Sequence, residues 1–215
     1  MSFLLVAALC ALIYLLKFCR SPASWAKTGV KSGSIVALLM FVILTNGPVL
    51  LIAALGFCGA GDYLLSRDGE RAFLAGVGAF AAGHIAYVAL FLTTPMARID
   101  VLMTSGNVMI IAVLVVYGTI MMRLLFRKAG TLRYAVIGYV PVILAMGVGA
   151  LCVPTSGMLR LVVPSALLFM ISDSVLAGEL FLMRDDHPLR RATPYVVWSF
   201  YWLAQFGFLL AFSVF

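Results

Sequence analysis

Residues 161–183 read LVVPSALLFMISDSVLAGELFLM, a stretch with no basic residue and only two acids, Asp173 and Glu179. A helix needs about 20 mainly apolar residues to cross a hydrocarbon core of roughly 30 Å, so this stretch is long enough to span. The rest of the chain has the same character. Of its 215 residues, 64% are hydrophobic and 11% are charged, against about 25% charged in a soluble domain. These proportions exclude a water-soluble enzyme.

Working outward from Leu161–Met183, apolar runs set off by charges or by Pro and Gly mark seven further spans: Ser2–Leu16, Ser34–Thr45, Pro48–Ser66, Ala72–Thr94, Val101–Met122, Leu132–Val153 and Pro194–Phe215. The second is short, and Asn46-Gly47-Pro48 predicts a tight turn after it. Eight crossings use about 160 residues, which leaves no room for a separate soluble domain. The expected fold is therefore an all-α polytopic membrane bundle of eight transmembrane helices over residues 1–215. Continuous apolar stretches argue against a β-barrel, whose strands alternate. No basic segment precedes the first span and its charges follow it, so it is expected to be a retained helix, not a signal peptide.

The charge of +7 has a topological origin. The connections after spans one, three, five and seven hold Lys17, Arg20, Lys27 and Lys31, then Arg67 and Arg71, then Arg123, Arg127, Lys128 and Arg133, then Arg184, Arg190 and Arg191. The intervening connections hold only Arg98 and Arg160. Alternation of this kind is the positive-inside pattern. It predicts both termini outside and the basic connections cytoplasmic, with the plasma (inner) membrane as the expected location. No basic stretch is interleaved with aromatics, so no nucleic-acid partner is expected. Cys10, Cys19, Cys58 and Cys152 are far apart and read as small buried hydrophobes. Pro141 and Pro164 fall inside spans six and seven, where kinks are expected.

An ionisable group at membrane depth costs at least about 2.5–3.5 kcal/mol and normally faces the bundle interior or a wet cavity. Asp62, His84, Asp173 and Glu179 are in that position. His84 shares a helical face with Phe80, Tyr87 and Phe91, and Trp198, Tyr201 and Gln205 form a stripe on span eight. Measured from the basic connections, Asp62, Tyr117, Asp173 and Tyr201 share the inner half of the bilayer, which predicts one polar cavity open to the cytoplasm. Glu179 is expected to snorkel toward the headgroups and His187 to be solvated beside Asp185 and Asp186.

Asp62 and Asp173 recur in a similar setting, Gly61-Asp62-Tyr63-Leu64-Leu65 against Ser172-Asp173-Ser174-Val175-Leu176, four spans apart. This spacing suggests a parallel 4 + 4 repeat that brings both acids toward one membrane side. Two carboxylates in a low-dielectric pocket drive their titrations apart, so one is an acid while the other is a base. Two histidines, one in a connection, cannot assemble a three-His zinc site, so neither metal nor cofactor is expected. No G-x-S-x-G elbow is present.

Gly61-Asp62-x-x-Leu65, Phe80-x-x-Gly83-His84-x-x-Tyr87-x-x-x-Phe91, Tyr117 with Met121, Leu168-Phe169-x-x-Ser172-Asp173-x-x-Leu176-Ala177 and Tyr201-Trp202-x-Ala204-Gln205 together resemble the YhhN-like family of membrane lysoplasmalogenases. The resemblance implies hydrolysis of the vinyl ether bond of a lysoplasmalogen to a fatty aldehyde and a glycerophospho-alcohol. It implies a lysophospholipid substrate drawn from membrane lipid, with Asp62, Asp173 and His84 as catalytic candidates. Tyr87, Tyr117, Ser172, Tyr201 and Gln205 are the substrate-binding candidates. Which aspartate is acid and which is base stays open at this level. Paired intramembrane acids also fit a proton-coupled transporter, and a hydrolase of another lysolipid is the third alternative.

Overall fold

The structure, a computed structural model, describes residues 2–213, and among these residues it contains helices and no strand. Eight α-helices follow one another: α1 (Ser2–Ile13), α2 (Trp25–Leu44), α3 (Val49–Leu65), α4 (Glu70–Thr93), α5 (Ser105–Lys128), α6 (Arg133–Ala150), α7 (Val162–Ala177) and α8 (Thr193–Ser213). Wider π turns extend α1 through Tyr14–Phe18 and α7 through Gly178–Leu182. Six helices, α2 and α4 to α8, are long and apolar enough to cross a membrane, α6 and α7 together with their flanking turns; Ser2–Phe18 and Val49–Leu65 are shorter and equally apolar. The chain is a multi-pass membrane protein.

The second helix differs from its expected bounds. It begins at Trp25, not Ser34, so Lys27 and Lys31 are helical and not in a connection. The cause is local. Ser24 caps the helix by accepting from the Lys27 amide at 3.1 Å, and the polar side chains that resemble a connection find partners inside the bundle. Ser34 donates to the Ala7 carbonyl at 2.8 Å and accepts from the Trp202 indole at 2.7 Å. At the far end of α5 the helix continues through Arg123 and Arg127 to Lys128, and Val101–Met103 belong to a 3-10 turn before it. Pro164 sits in the first turn of α7, where its missing N–H would have no helical partner, so the kink expected there has no cause; Pro141 is inside α6.

Neighbouring helices pack in chain order, α1 on α2, α2 on α3 and α3 on α4, then α5 on α6, α6 on α7 and α7 on α8; α4 on α6, and α2 and α3 on α8, join the two series. The tightest approach is α3 to α4. Gly61, Gly76 and Gly83 line it, and a Cβ on any of them would come within 2.8 Å of the facing helix's side chains. Connections alternate between the two ends of the bundle. At one end Cys19 donates to the Pro194 carbonyl at 3.7 Å, and Arg67, after α3, bonds Thr28 near the start of α2. At the other end the Arg98 amide donates to the Cys152 carbonyl at 2.8 Å, tying the connection after α4 to the one after α6.

Ser34 is fully buried and bridges α1, α2 and α8. Ser34→Ala is expected to lower unfolding stability in detergent by about 1–2 kcal/mol, because the Trp202 N–H then has no acceptor. A change below a few tenths, measured by denaturant titration of the Trp fluorescence, would show that the indole finds another acceptor.

Candidate active site

A cavity of about 320 Å³ opens near the end of the bundle that carries Cys19 and Pro194. Both Asp62 and Asp173 line it, with Lys27 and Lys31 of α2, Tyr139 of α6, Ser172 of α7 and Trp198 and Tyr201 of α8. An apolar limb continues between α4, α6 and α7, walled by Phe73, Val77, Val136, Leu176 and Phe181. The π turn after α7 contributes Glu179, which is half-buried, to the lining. Arg190 holds that turn by donating to the carbonyls of Glu179 at 2.7 Å and Met183 at 3.3 Å.

Asp62 lies on α3 beside Gly61, whose missing side chain lets the Phe80 ring lie against the helix. Its carboxylate is 1% exposed and both oxygens have partners: Oδ1 is 2.8 Å from the Lys31 ammonium and Oδ2 accepts from the Tyr201 hydroxyl at 2.7 Å. Asp173 is held differently. Its Oδ2 accepts a short hydrogen bond from the Tyr139 hydroxyl and lies 3.7 Å from His84 Nε2, and the side chain is 17% exposed. Among the described residues, the contacts of Asp173 are made through Oδ2 and no group hydrogen-bonds its Oδ1.

His84 is fully buried behind Asp173. Its Nδ1 is 2.7 Å from the Phe80 carbonyl, which can only accept, so Nδ1 carries the proton and Nε2 points toward Tyr139 and Asp173. The imidazole is wedged between Phe169 and Tyr139, with ring centroids 4.5 and 5.4 Å away.

The other candidates separate into three groups. Tyr201 and Ser172 border the cavity, although the Ser172 hydroxyl is used to donate to the Val197 carbonyl at 2.9 Å, tying α7 to α8. Tyr87 and Gln205 are hydrogen-bonded to each other in the fully buried layer behind Tyr201 and do not line the cavity. Tyr117 faces outward, 36% exposed, and donates to Ser174 at 2.5 Å in a separate groove between α5 and α7 that does not include Asp173. Its depth matched the acids, but the face of α5 it occupies does not. His187 is exposed and its Nδ1 accepts from the Leu189 amide at 3.2 Å.

Two residues of the site were missed in the sequence. Lys31 read as a topological charge, and Tyr139 drew no attention as one aromatic among many. The signal for Lys31 was its position, one or two turns inside a helix that must pass the acid on α3. Among the described residues no three His, Cys, Asp or Glu side chains converge as metal ligands would.

Fold and site together define a polytopic helical membrane protein with paired carboxylates around one polar cavity. The YhhN family model matches residues 26–213, and the chain belongs to that family. The match includes Lys31 of α2 and every later helix that contributes to the cavity; Tyr14 and Cys19, also in the lining, precede it. Comparison with curated proteins and with solved structures gives no match.

Proposed function

We propose that the protein is a membrane hydrolase that cleaves the vinyl ether bond of lysoplasmalogens, 1-alkenyl glycerophosphocholine or glycerophosphoethanolamine, releasing a fatty aldehyde and the glycerophospho-alcohol. The observation that carries this reading is the meeting of Asp62 and Asp173 at a single cavity of about 320 Å³ that has a polar end and an apolar limb. Family membership supports the same chemistry. Vinyl ether hydrolysis needs a proton delivered to carbon and an anion beside the oxocarbenium ion that forms, and two carboxylates in one pocket are suited to both tasks. The sn-1 chain would lie along Phe73, Val77 and Leu176, and Lys27 at the mouth would attract the phosphate.

In this reading all eight helices cross the inner membrane, both termini are outside, and the basic connections and the cavity mouth face the cytoplasm. A transporter would need a path onward from the cavity. A second pocket at the opposite end is lined by Leu90, Thr93 and Phe212, and the packed rings of Tyr87, Phe91, Phe208 and Phe212, with centroids 4.4 to 5.9 Å apart, stand between it and the cavity, which favours a dead-end site.

Purified protein in detergent, given lysolipids that differ only in a vinyl ether, alkyl ether or ester at sn-1, is expected to release aldehyde from the first and to leave the second intact. Vinyl ether substrate that stays whole, with lysolipid or protons crossing vesicle membranes instead, would replace hydrolysis with transport.

A further inference from the structure

Each acid takes its two partners from corresponding places. Asp62 of α3 is held by α2 and α8, and Asp173 of α7 is held by α6 and α4. Lys31 is the seventh residue of α2 and Tyr139 the seventh of α6. The preceding helix of each series thus offers one residue, at one position, to the following helix's aspartate, and the two series differ there in charge: an ammonium meets Asp62 and a phenol meets Asp173.

From this difference, and resting on the two-acid hydrolase reading, we propose that Lys31 is a positioning residue that keeps Asp62 a carboxylate, and that Asp173 is the group that carries and delivers the proton. Three observations agree. Asp62 has a cation at 2.8 Å and a hydroxyl donor at 2.7 Å, so neither oxygen is left to present a proton to a substrate. Asp173 accepts on Oδ2 from Tyr139 and no described residue bonds its Oδ1, whereas Asp62 Oδ1, although without a hydrogen bond, is occupied by the ion pair to Lys31. A carboxylic acid arranged in this way has its carbonyl oxygen bonded to the wall and its hydroxyl free to turn toward the cavity. Asp173 is also the more open of the two, 17% exposed against 1%.

The electrostatic surroundings follow the same division. Lys31 from α2 and Tyr201 from α8 face Asp62, with Tyr14 from the turn after α1 on the same wall. Tyr139 from α6 and His84 from α4 face Asp173, and Glu179 and Lys27 stand at the cavity wall. Lys27 and Lys31 both line the cavity, but only Lys31 is ion-paired, and it is paired to Asp62; among the described residues no lysine or arginine pairs with Asp173, so burial favours its protonated form. Lys31 settles which one remains charged.

The steps balance without another reagent. The Asp173 proton moves to the vinyl β-carbon, the double-bond pair forms the new C–H bond, and the positive charge shared by the α-carbon and the ether oxygen faces Asp62. Water adds to the α-carbon and returns one proton to Asp173, giving a hemiacetal and the original acid. The hemiacetal hydroxyl proton then moves to the glycerol oxygen as that C–O bond breaks, leaving aldehyde and alcohol.

The test reads protonation directly and needs no turnover. Infrared difference spectra of the full-length protein in detergent at neutral pH are expected to show one protonated-carboxyl C=O band from the cavity. Asp173→Asn is expected to remove it and Asp62→Asn to leave it. Lys31→Met is expected to add a second band, and Lys31→Arg to restore the wild-type spectrum. A band lost with Asp62→Asn, a band that survives Asp173→Asn, or no new band in folded Lys31→Met overturns the assignment. Should Asp173→Asn fail to fold, the Lys31 pair decides alone, because its readout is a gained band and its rescue.

In the turnover assay Lys31→Met is expected to lower kcat about 100-fold while affinity for an uncleavable alkyl ether lysolipid changes less than about threefold, and Lys31→Arg to recover most of the loss. Infrared results as expected in a protein that leaves vinyl ether lysolipids whole would remove the hydrolase reading and keep the proton assignment.

Discussion

Asp173→Asn is expected to reduce aldehyde release by a factor of about 10³ to 10⁴, the upper part of the range for loss of a general acid. The amide can still accept from the Tyr139 hydroxyl, which now bonds Oδ2, so the helices around it have no reason to part. Asp62→Asn is expected to cost somewhat less, about 10² to 10³, because the position then loses an anion beside a developing cation and not the transferred proton. It also leaves the Lys31 ammonium, now 2.8 Å from Asp62, without its counter-charge in a largely apolar cavity, so Asp62→Asn is the variant expected to lower thermal stability. Initial rates of aldehyde formation, with far-ultraviolet dichroism as the check on folding, measure both. Turnover within tenfold of wild type in both folded variants would end the two-acid chemistry.

Gly83→Leu should produce the largest structural effect. A Cβ at this position would lie 2.8 Å from Cys58 Sγ and 3.2 Å from the Ala54 carbonyl oxygen, and a backbone carbonyl inside a helix cannot swing aside. The α3–α4 pair must separate, at a cost of about 3 kcal/mol or more. The neighbouring residue is His84, so separation also withdraws the imidazole from Asp173. Loss of the monodisperse peak in size-exclusion chromatography and an unfolding midpoint lowered by several degrees are expected. A Gly83→Leu protein as stable as wild type would show that the two helices are not held at this contact.

Much of this organisation was legible before any coordinates. Asp62 and Asp173 stood out because carboxylates are scarce in apolar runs, and the depth count from Arg67 and Arg184 put them toward one membrane side. The spacing of His84 from Phe80 and Tyr87 gave a common helical face, and all three are buried together. Depth alone was a poor guide to direction, as Tyr117 demonstrates: a residue can sit at the right level and on the wrong side of its helix. Gln205 and Tyr87 show the next difficulty. Polar groups on an inward face can bond each other behind the cavity wall, and period 3.6 does not distinguish the lining from the layer beneath it.

Lys31 was hidden for a different reason. Lys31-Ser32-Gly33-Ser34 has the composition of a connection, and a count of basic residues places all such charges outside the bilayer. Inside the bundle the ammonium has an aspartate and the Ser34 hydroxyl has an indole and a carbonyl. Those partners belong to α1, α3 and α8, far away in the chain, and no local pattern signals them. Polar residues within an apolar chain therefore have two meanings, exit from the membrane or a bond across it, and only the partner distinguishes them.

The ion pair between Lys31 and Asp62 bears on self-damage as well. In the proposed hydrolysis, a long-chain aldehyde released in this chamber would be an electrophile beside two primary amines, Lys27 and Lys31, and amines condense with aldehydes through the nitrogen lone pair. Salt-bridged at 2.8 Å, the Lys31 nitrogen is protonated and has no lone pair to offer, so imine formation is suppressed at the innermost amine. Lys27, nearer the mouth and bound only to the Ser21 carbonyl at 2.7 Å, has no such shield and is where an adduct would accumulate.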